Sequence, residues 1–196
     1  MAAIHKQHWT PEEYIAYERA SEEKHIFLNG EIFSMTGASR KHNLIGFNLT
    51  TILGNRLKGQ PCEAYANDMR VKISPKQYTY PDISVVCAEP EFEDIELDTL
   101  LNPTLIIEVL SPSTEQYDRG KKFESYRSLD SLQEYVLVAQ DRAHIERYVR
   151  QDGGNWLFSE VNGLEASLDL ASIQCTLTLA DVYDKVTFDA EPSTFE

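Results

Sequence analysis

A chain of 196 residues is long enough for one domain with a substantial core, and 42% hydrophobic and 26% charged residues exclude a disordered protein. No apolar run reaches the roughly 20 residues that span a bilayer, and no secretory signal precedes Trp9, so we expect a cytoplasmic protein without a membrane partner. The net charge of −14 counts against a protein that grips a long stretch of nucleic acid through a basic face.

Cysteine and histidine usage predicts neither a disulfide framework nor a zinc site. Cys62, Cys87 and Cys175 are an odd number of scattered residues without a Cys-X-X-Cys spacing, and disulfides need pairs in an oxidising context. The histidines show no paired spacing of the kind that binds zinc. We expect Cys87, inside an apolar segment, simply to pack there.

The first third of the chain predicts a helix, a hairpin and a second helix. Thr10 caps a helix that runs to about Ala20, with proline and acidic residues in its first turn. Asn29-Gly30 lies between two short apolar runs, which is the strongest short signal for a β-hairpin. Apolar residues at helical spacing from His42 to about Lys58 predict the second helix.

The remainder predicts mainly strands, in an order typical of a mixed sheet. Strand candidates cover 65–73, 83–87, 105–110 and 135–138, a helix covers 116–129, and a closing hairpin covers 145–149 with 156–158. The signal weakens after Val161, with a short helix near 179–182. We predict a single α/β domain over residues 1–196, a mixed β-sheet flanked by helices with an N-terminal and a C-terminal hairpin, and frayed ends at 1–9 and 186–196.

Two acidic residues lie in strand contexts that otherwise exclude charge. Glu108 interrupts the apolar run 105–110, where a carboxylate is unfavourable unless it is paired or binds a metal. The alternatives are an edge strand that turns Glu108 to solvent, or a buried pair with an arginine. Asp82 opens the strand 83–87, and its alternative is an ordinary Pro-Asp turn.

Lys122 is the third candidate, because it lies on the predicted helix that follows the Glu108 strand. It adjoins Phe123 in the apolar stripe and shares a face with Tyr126, whereas Lys121 points about 100° away. Lys122 could reach the end of the sheet. It could equally form an i, i+4 pair with Asp118.

Together these residues resemble the Uma-two family of restriction-endonuclease-like proteins, within the PD-(D/E)XK nuclease superfamily. The resemblance rests on Pro81-Asp82, the string Ile107-Glu108-Val109-Leu110-Ser111-Pro112-Ser113-Thr114, Asp118 with Lys122 and Tyr126, Glu134-Tyr135, the start Trp9-Thr10-Pro11-Glu12-Glu13, Asn29-Gly30-Glu31-Ile32 and His42. It implies a restriction-endonuclease-like core with a divalent ion, Mg²⁺ or Mn²⁺, held by Asp82 and Glu108.

This sequence departs from the superfamily pattern at one position. Leu110 stands where the superfamily has a lysine two residues after the second acid, and Lys122 is the candidate replacement. The helix that begins near His42 supplies no third carboxylate, so Glu31 is a candidate for that role, with His42 as a polar helper and Asp68 as a further candidate. Glu31 could instead be solvated beside its turn, and His42 could simply begin the helix.

The resemblance implies a metal-dependent endonuclease that hydrolyses phosphodiester bonds in nucleic acid, with DNA the expected substrate. Carboxylates suit Mg²⁺, and a nearby lysine would orient water and offset phosphate charge. Two alternatives stay open: a nuclease fold that has lost catalysis and serves as a binding module, and a metal-dependent hydrolase of a small phosphorylated molecule. We expect a homodimer, since enzymes that cut both strands of a duplex often need two sites.

Overall fold

The computed structural model describes residues 8–188. Most of the predicted frayed ends, 1–7 and 189–196, lie outside the described residues. The described parts of these predicted frayed ends, 8–9 and 186–188, do make contacts. The Trp9 N–H donates to the carbonyl of Gly30 at 2.8 Å, and the Phe188 ring packs on Tyr183 at 5.3 Å between centroids. Among residues 8–188, no helix combines the length and the apolar character that a bilayer span requires.

The helices and strands alternate as expected of a mixed α/β chain. The helices are α1 (Pro11–Ala20), α2 (Arg40–Arg56), α3 (Glu115–Tyr117), α4 (Phe123–Tyr126) and α5 (Leu179–Val182), and a π-helical turn (Asp118–Lys122) joins α3 to α4. The strands are β1 (His25–Leu28), β2 (Glu31–Ser34), β3 (Glu63–Ala66), β4 (Arg70–Ser74), β5 (Gln77–Thr79), β6 (Ile83–Val86), β7 (Thr99–Leu100), β8 (Leu105–Val109), β9 (Glu134–Val138), β10 (His144–Arg150), β11 (Trp156–Asn162), β12 (Ser167–Leu170) and β13 (Cys175–Thr178).

A six-stranded mixed sheet, in the order β11-β10-β9-β8-β6-β3, forms the centre of the molecule. Strands β8 and β9 are parallel and the other neighbours are antiparallel. Alternate residues of β8 enter two cores: Ile107 packs with residues of α2 on one face, and Ile106 packs with Phe123 and Tyr126 on the other. Because both faces are covered, β8 reads as an apolar run, and the exposed-edge alternative for Glu108 is wrong.

A five-stranded sheet, in the order β2-β1-β5-β4-β7, lies under α1. Both N-terminal predictions are confirmed: Thr10 and Glu13 form a capping box at α1, and the turn at Asn29-Gly30 joins β1 to β2. The single strand predicted over 65–73 is wrong, because Asn67 adopts a left-handed φ of 51° and divides it into β3 and β4 of different sheets.

The helix predicted over 116–129 is present in broken form, since the π-helical turn separates α3 from α4. Strands β5, β7, β12 and β13 were not predicted. They are only two to four residues long. For β12 and β13 the sequence did hold a signal, because the buried Leu168, Leu170 and Leu177 alternate with exposed residues.

The prediction of unpaired cysteines is wrong for two of the three. Cys62 and Cys87 form a disulfide, with their Cα atoms 4.0 Å apart. The antiparallel pairing of β3 with β6 places Glu63 opposite Val86, so the next residue outward on each strand is a cysteine. A sequence separation of 25 carries no spacing signal, and only the strand register brings the two together. Cys175 is a free, buried thiol.

Candidate active site

A cleft of about 760 Å³ opens where residues from the two larger sheets meet. Asp82, Glu108, Lys122 and His42 all line it. Asp82 directly precedes β6, and Glu108, Lys122 and His42 lie on β8, the π-helical turn and α2, so the fold brings together positions up to 80 residues apart. Glu31 does not line the cleft.

Asp82 is placed by the antiparallel pairing of β6 with β8. Ile83 lies opposite Ile107, so the residue before β6 falls beside Glu108. Asp82 Oδ2 accepts from the backbone N–H of Val109 at 2.7 Å, and the Asp82 carbonyl accepts from Asn67 N–H at 2.8 Å. Asp82 is therefore more than a Pro-Asp turn residue: its carboxylate is fixed at the ends of two strands of the six-stranded sheet while its side chain keeps 20% exposure.

Glu108 is buried on the β8 face that carries Phe123 and Tyr126. Its Oε1 accepts from Lys122 Nζ at 2.8 Å and from the Tyr126 hydroxyl at 3.2 Å. Burial raises the pKa of Glu108 to about 8; the Lys122 ammonium opposes that rise, and the Asp82 and Asp118 carboxylates add to it. Glu108 does form a buried ion pair, as one of the alternatives expected, but its partner is Lys122, which lines the cleft, and not an arginine.

Lys122 lies between two carboxylates. Its Nζ is 2.8 Å from Glu108 Oε1 and 3.3 Å from Asp118 Oδ1, so the reach to the sheet and the i, i+4 pair coexist. Burial lowers the pKa of Lys122, but Glu108 and Asp118 more than offset it, and the net shift is upward. The predicted orientation is confirmed, because Lys121 is exposed and Lys122 is buried.

The π-helical turn gives this segment its geometry. Such turns are rare and frequently occur at functional sites, because the extra residue shifts the register of the helix. Here the turn buries both Asp118 and Lys122, and the carbonyl of Asp118 accepts from the Tyr135 hydroxyl at 3.0 Å. The anchor on β9 thereby fixes the segment that carries the lysine.

His42 lies in the first turn of α2, whose N-cap Ser39 accepts from the His42 N–H at 3.1 Å. Its Nε2 is 3.0 Å from Asp82 Oδ1. Because an ionised carboxylate only accepts, Nε2 carries the proton in this contact. The structure thus brings His42 to Asp82, where it orients the carboxylate.

Glu31 is corrected as a site residue. It is the exposed first residue of β2, opposite Leu28, and the next residue, Ile32, is buried. Side chains alternate along a strand, so Glu31 points to the solvent side. Asp68 does line the cleft, where its Oδ1 lies 2.6 Å from Lys24 Nζ.

Gln140 is a cleft residue that the sequence interpretation missed. Its side-chain amide donates to the carbonyl of Leu110, and its oxygen accepts from the hydroxyl of Ser39, the cap of α2. Gln140 therefore ties the end of β8 to the helix that carries His42. A signal existed, since β8 and β9 are parallel and a polar residue just after β9 falls beside the residues that follow Glu108.

The donor set determines which ion the cleft could accept. Within residues 8–188, no three histidine, cysteine or acidic side chains are grouped so as to hold a metal. Zinc, which needs three or four protein ligands, does not fit. Mg²⁺ commonly binds through one or two carboxylates and keeps several waters, and Asp82 with Glu108 meets that requirement.

Comparison with known families decides the relationship of this chain. The profile of the Uma2 family, described as "Putative restriction endonuclease", matches residues 11–180. The chain belongs to the Uma2 family. The family named from the sequence resemblance is therefore confirmed.

Individual relatives extend over nearly the whole Uma2 chain. Two uncharacterized proteins of Synechocystis sp., slr1290 and sll1609, are each 37% identical, over 91% and 83% of this chain and 93% and 92% of their own lengths. A crystal structure titled as a "putative nuclease belonging to DUF820", from Anabaena variabilis, matches with a TM-score of 0.74 at 20% identity, over 91% of this chain and 99% of that one. That likeness confirms the predicted fold class.

Proposed function

We propose that this Uma2 protein is a metal-dependent endonuclease that hydrolyses phosphodiester bonds in nucleic acid, with DNA as the expected substrate. The observation that carries the proposal is the convergence of Asp82, Glu108 and Lys122 in one cleft, with the lysine ammonium 2.8 Å from Glu108. The family description supports the same activity. Buried charges that border a cleft are typical of sites of chemistry.

In this proposal Asp82 and Glu108 hold Mg²⁺ or Mn²⁺, which when bound polarises a phosphate and lowers the pKa of a coordinated water. Hydrolysis joins a water oxygen to phosphorus and breaks one P–O bond to sugar, and the leaving oxygen gains a proton. The Lys122 ammonium orients the water by donating to it and offsets the charge that develops on the phosphate. His42 keeps Asp82 Oδ1 aimed by its 3.0 Å contact.

The assembly and compartment belong to the same proposal. Strand β11 is an edge of the six-stranded sheet and exposes Leu157 and Phe158, which favours a homodimer through this edge. Light scattering that gives 22.4 kDa at micromolar concentration would contradict the dimer. We retain the cytoplasm as the compartment, and thiol titration of protein from intact cells tests whether Cys62 and Cys87 are bonded there.

The test of activity is cleavage of labelled single-stranded DNA, duplex DNA and RNA with Mg²⁺ or Mn²⁺, and with EDTA as the control. Metal-dependent products from one or more of these polymers are expected.

Two specific features favour other functions: the net charge of −14 favours a binding module, and the volume of the cleft falls in the range for small ligands. Binding without cleavage would indicate the module, and turnover of a chromogenic phosphodiester alone would indicate a small-molecule hydrolase.

A further inference from the structure

A second lysine, besides Lys122, lines the cleft among the described residues. Lys24 immediately precedes β1, and its Nζ is 2.6 Å from Asp68 Oδ1 and 3.4 Å from the carbonyl of Asn67. The N–H of Asn67 in turn donates to the carbonyl of Asp82 at 2.8 Å. Lys24 is thus linked through one loop to the backbone of the proposed metal ligand, on the side of the cleft that the five-stranded sheet provides.

Lys24 differs from Lys122 in how tightly its charge is engaged. The side chains of Lys24 and Asp68 are 41% and 84% exposed, and an ion pair this open is weak enough to exchange one partner for another anion. The Lys122 side chain is 11% exposed and bound to two buried carboxylates. Of the two lysines within residues 8–188 that line the cleft, Lys24 is therefore the one available to a phosphate outside the reaction centre.

The charges of the cleft bear on the form of nucleic acid that can enter. Against these two lysines the described lining places the carboxylates of Glu23, Asp68, Asp82, Glu108 and Asp118. Duplex DNA carries one charge per about 1.7 Å of axis and a single strand one per about 3.4 Å, so a duplex meets the stronger repulsion. A duplex needs an extended basic surface, which this lining does not supply.

The depth of the reacting groups points the same way. The side chains of Glu108 and Lys122 are only 4% and 11% exposed, whereas the side chain of Asp68, which lines the same cleft, is 84% exposed. The cleft volume of about 760 Å³ lies within the range of roughly 300 to 1,000 Å³ typical of pockets for small ligands. A strand of a few nucleotides can bring one phosphate to that depth, because its backbone is not held in a wide helix.

We propose that the substrate enters this cleft as a single strand, with one phosphodiester at Asp82 and Glu108 and a neighbouring phosphate bound by Lys24 in place of Asp68. This inference rests on the proposed nuclease function and adds the form of its substrate and a residue that binds it. The chemistry recognised is a single-stranded phosphodiester polymer, and matched DNA and RNA strands distinguish the two sugars.

The experiment measures binding separately from cleavage. Fluorescence anisotropy with labelled 12-nucleotide DNA, the same sequence as RNA, and the blunt DNA duplex is carried out in Mg²⁺ with Lys122→Met as the background. Lys24→Met and Lys76→Met are compared in that background. Lys76 is a matched control because it is an exposed lysine in the turn between β4 and β5 and does not line the cleft. If Lys122→Met does not fold, the series is measured in EDTA with Lys122 intact.

A single strand is expected to bind at least tenfold more tightly than the duplex. Lys24→Met should weaken single-strand binding by about tenfold and lower the slope of log K against log salt by about 0.7, the value for one phosphate contact on a single strand. Lys76→Met should change neither quantity. Equal or tighter duplex binding, or identical effects of Lys24→Met and Lys76→Met, would overturn the inference. If single strands bind as expected but the wild type cleaves none of them, the proposed nuclease function is wrong, whereas the inferred mode of single-strand binding still holds.

Discussion

Among the described residues, one cluster of buried charge lines the cleft, and another, beneath α1, keeps its charged groups away from it. The cleft cluster consists of Asp82, Glu108, Asp118 and Lys122. The Arg70 cluster, under α1 in the five-stranded sheet, consists of Glu18, His25, Arg70, Tyr80 and Asp98. Both carry acids and bases that are unfavourable in an apolar interior, so the number of buried charges does not separate a functional site from a structural one.

The clusters differ in how fully their hydrogen-bonding capacity is used. Glu18 accepts through Oε1 from the His25 N–H and the Tyr80 hydroxyl, each at 2.9 Å, and through Oε2 from His25 Nδ1. Arg70 donates to Thr99, Tyr80 and Asp98. In the cleft cluster, by contrast, Lys122 and Tyr126 both donate to Oε1 of Glu108, and the carboxylate lines open space. A saturated cluster stabilises the fold, whereas one with free capacity beside a cleft is able to bind a ligand.

Removal of a ligand from the cleft cluster should give the largest effect. Calorimetric titration with Mg²⁺ or Mn²⁺ should show binding to the wild type, and Asp82→Ala should abolish it, because only Glu108 would then remain as a carboxylate ligand. Circular dichroism checks that the variant is folded. Asp68→Ala is the control, since this acid lines the same cleft but pairs with Lys24 and should leave the affinity nearly unchanged. Unaltered binding by Asp82→Ala would exclude Asp82 as a ligand.

The Arg70 cluster should respond in stability and not in chemistry. Arg70 is 2% exposed, and Arg70→Met leaves Asp98 without its buried guanidinium partner and the Thr99 and Tyr80 oxygens without their donor. The free energy of unfolding should fall by about 3 kcal/mol, at the lower end for a broken buried ion pair because Asp98 is partly exposed. Urea unfolding measures it, and cleavage per folded molecule should stay at the wild-type level.

Arg142→Met is the matched control for that stability measurement. The Arg142 side chain is 57% exposed and pairs with the exposed Asp141, so its removal should change the unfolding free energy by less than about 0.5 kcal/mol. A loss below about 1 kcal/mol in Arg70→Met would show that the cluster adds little to the fold.

Lys122→Met should lower turnover by roughly a hundredfold or more, as expected when a positioned electrostatic group is lost. Folding should survive, because the raised pKa of Glu108 lets that carboxyl take up a proton once the ammonium is absent. Lys121→Met is the control, since Lys121 is the exposed neighbour. Wild-type rates in both variants would refute the idea that the lysine has moved to this helix.

The strongest local signals in the sequence led to correct elements. The hairpin at Asn29-Gly30 depends on two residues and their flanks, and the apolar run 105–110 reports a strand covered on both faces, so neither requires knowledge of distant contacts. The same reasoning placed Glu108 inside the protein, because its neighbours on the strand are aliphatic. The burial of Lys122 was predicted from the geometry of a regular α-helix. The π-helical turn changes the register of that helix but leaves Lys122 buried.

Two of the errors arose where the outcome depends on strand register. The Cys62–Cys87 disulfide needs the pairing of β3 with β6, and Gln140 needs the parallel alignment of β8 with β9. Asn67 broke a predicted strand because a single left-handed residue can end one strand and redirect the chain into another sheet. Glu31 was placed by family analogy alone, and no local property distinguished it from a solvated acid.

The smallest effect should appear in acid, where Asp98 connects the Arg70 cluster to the surface. The hydrogen bond from Arg19 holds the pKa of Asp98 well below its ordinary value, burial opposes this, and Arg70 reinforces it. Because the folded pKa is depressed, the unfolded chain binds the proton at a higher pH than the folded chain does. The stability that Asp98 contributes is therefore fully present above the unfolded pKa of about 4 and is lost as the pH falls through the folded pKa.

Asp98→Asn should be less stable than the wild type at pH 7 but should lose less of its stability between pH 4 and pH 2, when urea unfolding is followed across that range. Asp141→Asn is the control, because the Asp141 side chain is 73% exposed and its pair with Arg142 lies on the surface. Parallel stability curves for the wild type and Asp98→Asn would show that the Arg19 and Arg70 contacts do not depress the acid. The cleft cluster lies on another sheet, so cleavage by folded Asp98→Asn at pH 7 should match the wild type, which again separates a saturated cluster from one that binds.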